Sequence, residues 1–197
     1  MYKAIITVVV LILSQNLLAQ KADTSRPNII FIFADDMGIG DVSHTTGKAA
    51  TPHLDRMATE GIRFTDAHTS SSVCTPSRYS LLTGRYNWRS TLSKGVIAKP
   101  TTKPLLKKEE TTVASLLKEA GYHTAIIGKW HLGIDWELVP NFKKEKWQIG
   151  GGWNIDYTKP AITPTSNGFD YFYGIAASLD MPPYVYIENE KVTEIPS

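Results

Sequence analysis

Asn28-Ile29-Ile30-Phe31-Ile32-Phe33-Ala34-Asp35-Asp36-Met37-Gly38 is the stretch on which the fold turns. From Ile29 to Ala34 the run is apolar without a break and rich in β-formers. It predicts a strand over 28–34 covered on both faces, as in a parallel sheet. The run ends abruptly at Asp35-Asp36. In open α/β sheets, ligands bind just beyond the carboxyl ends of the strands. Two acids at that position are therefore candidates for a site.

Downstream, Thr51 suits a helix cap and Pro52 a first helical position. Leu54, Met57 and Ala58 share one face, and Gly61 ends the helix. Residues 62–65 read as a further strand. Pro76 suits the start of a second helix, with Leu81 and Leu82 in its body and Gly84 as its stop, which sets Cys74 at a helix N-terminus. Residues 86–110, mixed and interrupted by Pro, read as a loop excursion. Thr111 is expected to cap a third helix, with Val113, Leu116, Leu117 and Ala120 inward and Gly121 at its end. A strand over 122–127 follows and runs into Gly128-Lys129-Trp130-His131-Leu132-Gly133. Strands alternating with helices argue for an α/β domain. Residues 134–170 show little periodicity, and there is no internal repeat.

Composition narrows the class. With 42% hydrophobic and 20% charged residues, the 197-residue chain has the make-up of a soluble globular protein. Its 21 basic and 19 acidic residues give a net charge of +2. That balance offers no concentrated basic face, so no nucleic-acid partner is expected. The short cluster Lys143, Lys144, Lys146 reads as a solvated loop. The first residues differ from the rest: Lys3 precedes an apolar run over 4–13, and Leu17-Leu18-Ala19 offers a small residue for cleavage. This predicts a signal peptide over 1–19, leaving 25–197 as the folded domain, and a secreted or periplasmic location. The run is too short to span a bilayer, so no stable membrane insertion is expected.

Three polar clusters carry candidate chemistry. Asp35 and Asp36 repel each other unless a hard cation such as Ca²⁺ shares their oxygens; an acidic surface turn is the plainer alternative. Cys74-Thr75-Pro76-Ser77-Arg78 sets the chain's single cysteine beside an arginine at a helix N-terminus, where an anion is favoured. The lone thiol rules out an internal disulfide. It can be a buried small hydrophobe or a nucleophile that needs a base. Lys129 and His131, two apart in an extended segment, would face one side and suit an anionic substrate and protonation of a leaving group. The aromatic stretches at 170–173 and 181–186 can stack on a sugar or pack a core, and packing is the commoner role.

Cys74-Thr75-Pro76-Ser77-Arg78, continued by Leu81-Leu82-Thr83-Gly84-Arg85, resembles the first signature of the type I, formylglycine-dependent sulfatases. Gly128-Lys129-Trp130-His131-Leu132-Gly133 resembles the second. The run from Pro27 to Gly38 looks like that family's opening strand and metal loop, and residues 51–58 match its following helix. The resemblance is dense over 25–133 and looser over 167–174.

The resemblance implies an alkaline-phosphatase-like α/β sheet with helices on both faces, incomplete at the C-terminus. It implies that a formylglycine-generating enzyme oxidises Cys74 to an aldehyde, whose hydrate attacks the sulfur of a sulfated carbohydrate or aryl sulfate. Carried onto this sequence, Asp35 and Asp36, with the group made from Cys74, would bind Ca²⁺. Arg78 would hold the formylglycine hydroxyl, Lys129 would contact sulfate oxygens, and His131 would assist sulfate elimination. Ser178 would sit near the substrate. Members of the family are longer, and their further metal ligands, His and Lys lie in a part this sequence does not contain. The chain is thus expected to hold half of a site. Two alternatives stay open: a phosphonate or phosphate monoesterase of the same superfamily, and an anion-binding, non-catalytic fragment.

Overall fold

The computed structural model describes residues 26–196 other than 48, 109, 147, 149 and 150, so the expected signal peptide at 1–19 lies outside them. The chain divides into two compact units, Met1–Met57 and Ala58–Ser197.

The first unit corrects the expectation of a doubly covered strand. Residues 28–34 form no ladder, and Ile30 and Ile32 are 85% and 73% exposed. The Phe31 and Phe33 rings lie 6.2 Å apart, as two-apart residues do on one side of an extended segment. A strand needs a partner as well as a β-prone sequence, and among the described residues no strand pairs with this one. A single 3₁₀ turn over Ile39–Asp41 follows, fastened by the Gly38 amide donating to the Asp41 carboxylate. Helix α1 runs over Pro52–Glu60. The Thr51 hydroxyl ahead of it accepts from the Ser43 amide at 2.9 Å and donates to Asp55 at 3.3 Å. Ser43 also donates to Asp55; chiefly through that bond the carboxyl is held below its ordinary range. No residue of α1 is buried, and Met57, expected inward, is exposed.

The second unit is built on a mixed four-stranded sheet. Its strands are β1 (Ala125–Lys129), β2 (Tyr171–Ile175), β3 (Tyr186–Glu188) and β4 (Lys191–Val192), in that spatial order. β1 and β2 run parallel; the later pairs are antiparallel. Gly128 stands opposite Gly174 in the parallel pair. A Cβ on Gly174 would lie 1.9 Å from the Gly128 carbonyl oxygen, so the strands meet closely only because that side chain is missing. β1 begins three residues later than the sequence suggests, and 62–65 is not a strand.

Helix α2 (Cys74–Thr83) ends at Gly84, whose left-handed φ of 66° and bond to the Ser80 carbonyl close it as expected. Helix α3 (Val113–Glu119) is capped by Thr112 rather than Thr111, and its inward face differs from the periodic reading. Val113 and Leu116 are exposed while Ala114 is 1% exposed. The cause lies far along the chain. The Thr112 hydroxyl donates to the Asn167 carbonyl, and Gly168 lies so close that a Cβ there would come within 2.5 Å of the Ser115 amide nitrogen. This contact sets the rotation of α3.

The core joins Tyr79 and Leu82 of α2, Ala114 of α3, Phe172 and Ile187 of the sheet, and Trp130 and Leu132 beyond β1. Leu106 reaches it from the expected loop 86–110, as do Ile134, Trp136 and Ile155 from the aperiodic stretch 134–170. The aromatic-rich segments divide. Phe172 is fully buried, Tyr173 and Tyr186 stack at 5.6 Å, and Tyr184 stays exposed.

Candidate active site

The site of the second unit forms where the carboxyl ends of β1 and β2 meet the N-terminus of α2. Cys74 is the first residue of α2 and is half-buried. Pro76 fits there because amides of a first turn have no helical partner to lose. Ser77 makes the first bond into the helix: its amide donates to the Val73 carbonyl at 3.3 Å, and its hydroxyl donates to the Val73 and Ser71 carbonyls. The loop before Cys74 is thereby pinned.

Lys129, the last residue of β1, sends its ammonium to the Cys74 sulfur at 3.1 Å and to the Ser178 hydroxyl at 3.2 Å. Arg78 lies one helical turn beyond Cys74, on the same side of α2. Its guanidinium donates to the Lys129 carbonyl at 2.6 Å, tying the helix to the strand end. The Sγ atom marks where the reactive group at position 74 sits. It meets a cation and a helix N-terminus, both of which favour an anion.

His131 is buried, and the alternation expected between it and Lys129 does not carry through. Its backbone is left-handed, with φ of 58°, so the segment is no longer extended there. Its Nε2 lies 2.9 Å from the Ile97 carbonyl, which can only accept, so Nε2 carries the proton. In the neutral ring Nδ1 is then the accepting nitrogen.

Two participants escaped the sequence reading. Thr75, 1% exposed, donates its hydroxyl to the His131 carbonyl at 3.0 Å and accepts from the Ile97 amide at 3.2 Å. The Ile97 backbone thus touches both motifs, although the surrounding segment reads only as a loop. Ser178 lies beyond β2, where the pairing continues through Trp130 to the Ile175 carbonyl and His131 to the Ala176 carbonyl.

Asp35 and Asp36 belong to the first unit. Adjacent residues of an extended chain point apart. Asp36, with φ of 55°, breaks that alternation, and carboxylate oxygens of the two residues lie within 4.8 Å of each other. Both residues are exposed, so water can complete a coordination shell around a cation held there. Two converging carboxylates are hard oxygen donors that fit Ca²⁺.

The sulfatase family model matches residues 27–193, from before the acidic pair to the last strand. The chain belongs to the sulfatase family. Among its relatives is the N-acetylgalactosamine-6-O-sulfatase of Bacteroides thetaiotaomicron, 40% identical over 86% of the chain and 30% of the relative. Human arylsulfatase G is 40% identical over 82% of the chain and 26% of its own length. A solved Bacteroides thetaiotaomicron structure from work on the metabolism of multiple glycosaminoglycans superposes with a TM-score of 0.71. It is 40% identical, covering 85% of this chain and 32% of that one. A Pseudoalteromonas sulfatase structure gives 0.52 at 32% identity, over 74% of this chain and 25% of that one. The chain thus spans under a third of the length of these relatives. Its mixed sheet with flanking helices is that part of an alkaline-phosphatase-like fold. Among the described residues, no helix is long and apolar enough to cross a membrane.

Proposed function

We propose that this chain supplies the nucleophile-bearing part of an enzyme that hydrolyses sulfate esters, those of sulfated carbohydrates or aryl alcohols. The observation that carries the reading is the Lys129 ammonium set 3.1 Å from Sγ at the first residue of α2. A sulfate ester presents anionic oxygens at the atom to be attacked. A site for it needs cations fixed beside the nucleophile.

In this reading Cys74 is converted by a formylglycine-generating enzyme, and the hydrated aldehyde supplies a nucleophilic hydroxyl that leaves no ester on an ordinary side chain at the end of a cycle. Lys129 binds sulfate oxygens. Arg78 orients the group at position 74 and, through the Lys129 carbonyl, the end of β1. His131, its Nε2 committed to Ile97, takes a proton at Nδ1. Ser178 borders the bound ester. Asp35 and Asp36 would hold Ca²⁺, a Lewis acid suited to polarising a sulfate ester. The apolar run at 4–13 directs the protein to the periplasm or the exterior. The naming of the relatives as sulfatases supports the reaction, and their glycan-directed members favour a carbohydrate ester.

Expression with a formylglycine-generating enzyme and trypsin digestion releases residues 64–78 as one peptide. The expected product is lighter than the cysteine form and reacts with hydrazides. An unmodified thiol, with a control sulfatase converted in the same cells, would overturn the mechanism. Paired aryl sulfate and aryl phosphate esters then test the reaction: preferential cleavage of the phosphate would replace a sulfatase by a phosphoesterase.

A further inference from the structure

Thr75, His131 and the Ile97 backbone close a cycle of three hydrogen bonds inside the second unit. The Thr75 hydroxyl donates to the His131 carbonyl at 3.0 Å. Its oxygen accepts from the Ile97 amide at 3.2 Å. The Ile97 carbonyl then accepts from His131 Nε2 at 2.9 Å, which completes the cycle. Thr75, His131 and Ile97 are 1%, 2% and 4% exposed, so water has little access to these groups. The His131 amide is held as well, by the Ala176 carbonyl at 3.0 Å. Amide, carbonyl and Nε2 of His131 are therefore all engaged, in a residue whose left-handed φ of 58° is uncommon for a side chain of its size.

We infer that Thr75 is a positioning residue: by holding Ile97 against the imidazole of His131 it fixes the proton on Nε2 and keeps Nδ1 as the accepting nitrogen. Which imidazole nitrogen accepts is set by what the other one meets. Here Nε2 meets a carbonyl of a loop, and a loop alone holds a carbonyl loosely. The Ile97 amide, bonded to Thr75, anchors the same residue whose carbonyl meets the imidazole. Only two backbone dihedrals separate that anchor from that contact. Thr75 directly follows Cys74, so the cycle also ties His131 to the segment bearing the reactive group. A threonine that merely filled the interior would leave the imidazole indifferent to its replacement by Val. The role rests on the reading of His131, given above, as the group that takes a proton. Its geometry can be read without turnover.

The readout is the magnetic resonance signal of the His131 Nε2 proton in protein carrying isotope-labelled histidine. It is assigned among the five histidines by its loss in His131→Gln. In the parent it is expected as a resolved signal that exchanges slowly with water. Thr75→Val is expected to raise its exchange about tenfold, the scale of one lost hydrogen bond, at a rate that is flat in low urea. A flat rate marks local opening. A rate that rises with urea as core amides do reports lost stability alone and overturns the inference, as does an unchanged rate. Thr75→Ser keeps the hydroxyl and should exchange within about twofold of the parent. A Ser variant that behaves like Val also overturns the inference. Should Thr75→Val fail to fold, the parent decides. The Ile97 amide and the Nε2 proton belong to one cycle, so their protection factors should agree within about threefold, and a gap above about tenfold overturns the inference. A protein that cleaves no sulfate ester would overturn the preceding reading and leave these exchange rates to decide this one.

Discussion

Thr75 occupies the unspecified position of the Cys-x-Pro-Ser-Arg stretch, yet its hydroxyl joins two segments far apart in sequence. It donates to the carbonyl of His131 and accepts from the amide of Ile97, in a place almost closed to water. Thr75→Val keeps the shape and removes both bonds. The Ile97 amide and the His131 carbonyl each lose this partner, at about 1–3 kcal/mol for a buried group left unsatisfied. Urea unfolding of Thr75→Val is expected to show a loss of about 2 kcal/mol, with faster exchange of the Ile97 amide, while Thr75→Ser stays within about 1 kcal/mol of the parent. A Val variant as stable as the parent would mean that water reaches both groups. The same scale shows where a periodic reading stops. Asp36 and His131 both adopt left-handed backbone at the end of an extended run. There the rule that residues two apart share a face no longer decides where a side chain points.

Among the elements, the parallel pair β1–β2 carries the site, since its ends present Lys129 and lead to Ser178. Its register is set where Gly174 passes the Gly128 carbonyl. Gly174→Ala would place Cβ against backbone that cannot step aside. A loss of about 3 kcal/mol is expected, the upper range for an overpacked interior site. Protection of the Trp130 and His131 amides, which continue this pairing, should fall with it. Gly128→Ala is the contrast. Its φ of 108° disfavours a side chain, but a Cβ there meets nothing within 4 Å, so a smaller loss of about 1 kcal/mol is expected. Equal losses would show that backbone conformation, not the close approach, governs the pair. Local signals read these elements unevenly. Pro76 and Gly84 bracket α2 correctly because both act within one turn of the chain. The buried face of α3 follows from Asn167 and Gly168, some fifty residues away, and no local period encodes that contact. The run at 28–34 is β-prone, but pairing is a property of neighbours.

Over the whole molecule, the motifs of the site were legible because each is short and contiguous. What joins them, namely Thr75 and the Ile97 backbone, depends on tertiary contact and carried no sequence signal. Asp170 extends that point to stability. It accepts from the Thr124 amide at 2.9 Å and from the Thr124 hydroxyl at 3.1 Å. It also pairs with Lys118 of α3 at 2.5 Å and with His123 at 3.3 Å. One carboxylate at the start of β2 therefore fastens a helix, the approach to β1 and a strand. The Lys118 bond first, and the Thr124 amide next, bring its carboxyl from the ordinary 3.8 down to about 2. A carboxyl with a lower pKa folded than unfolded stabilises fully above the unfolded value, and that contribution is lost as pH falls through the folded one. Unfolding free energy should therefore decline between about pH 4 and pH 2, where the unfolded chain binds a proton that the folded chain does not. Asp170→Asn removes that proton. Urea titrations at steps of pH should find the variant less stable than the parent at neutral pH and its acid slope shallower by about one proton in this window. An identical slope in both proteins would move the acid sensitivity to another carboxylate, with the Ser43-bound Asp55 of the first unit the next to replace.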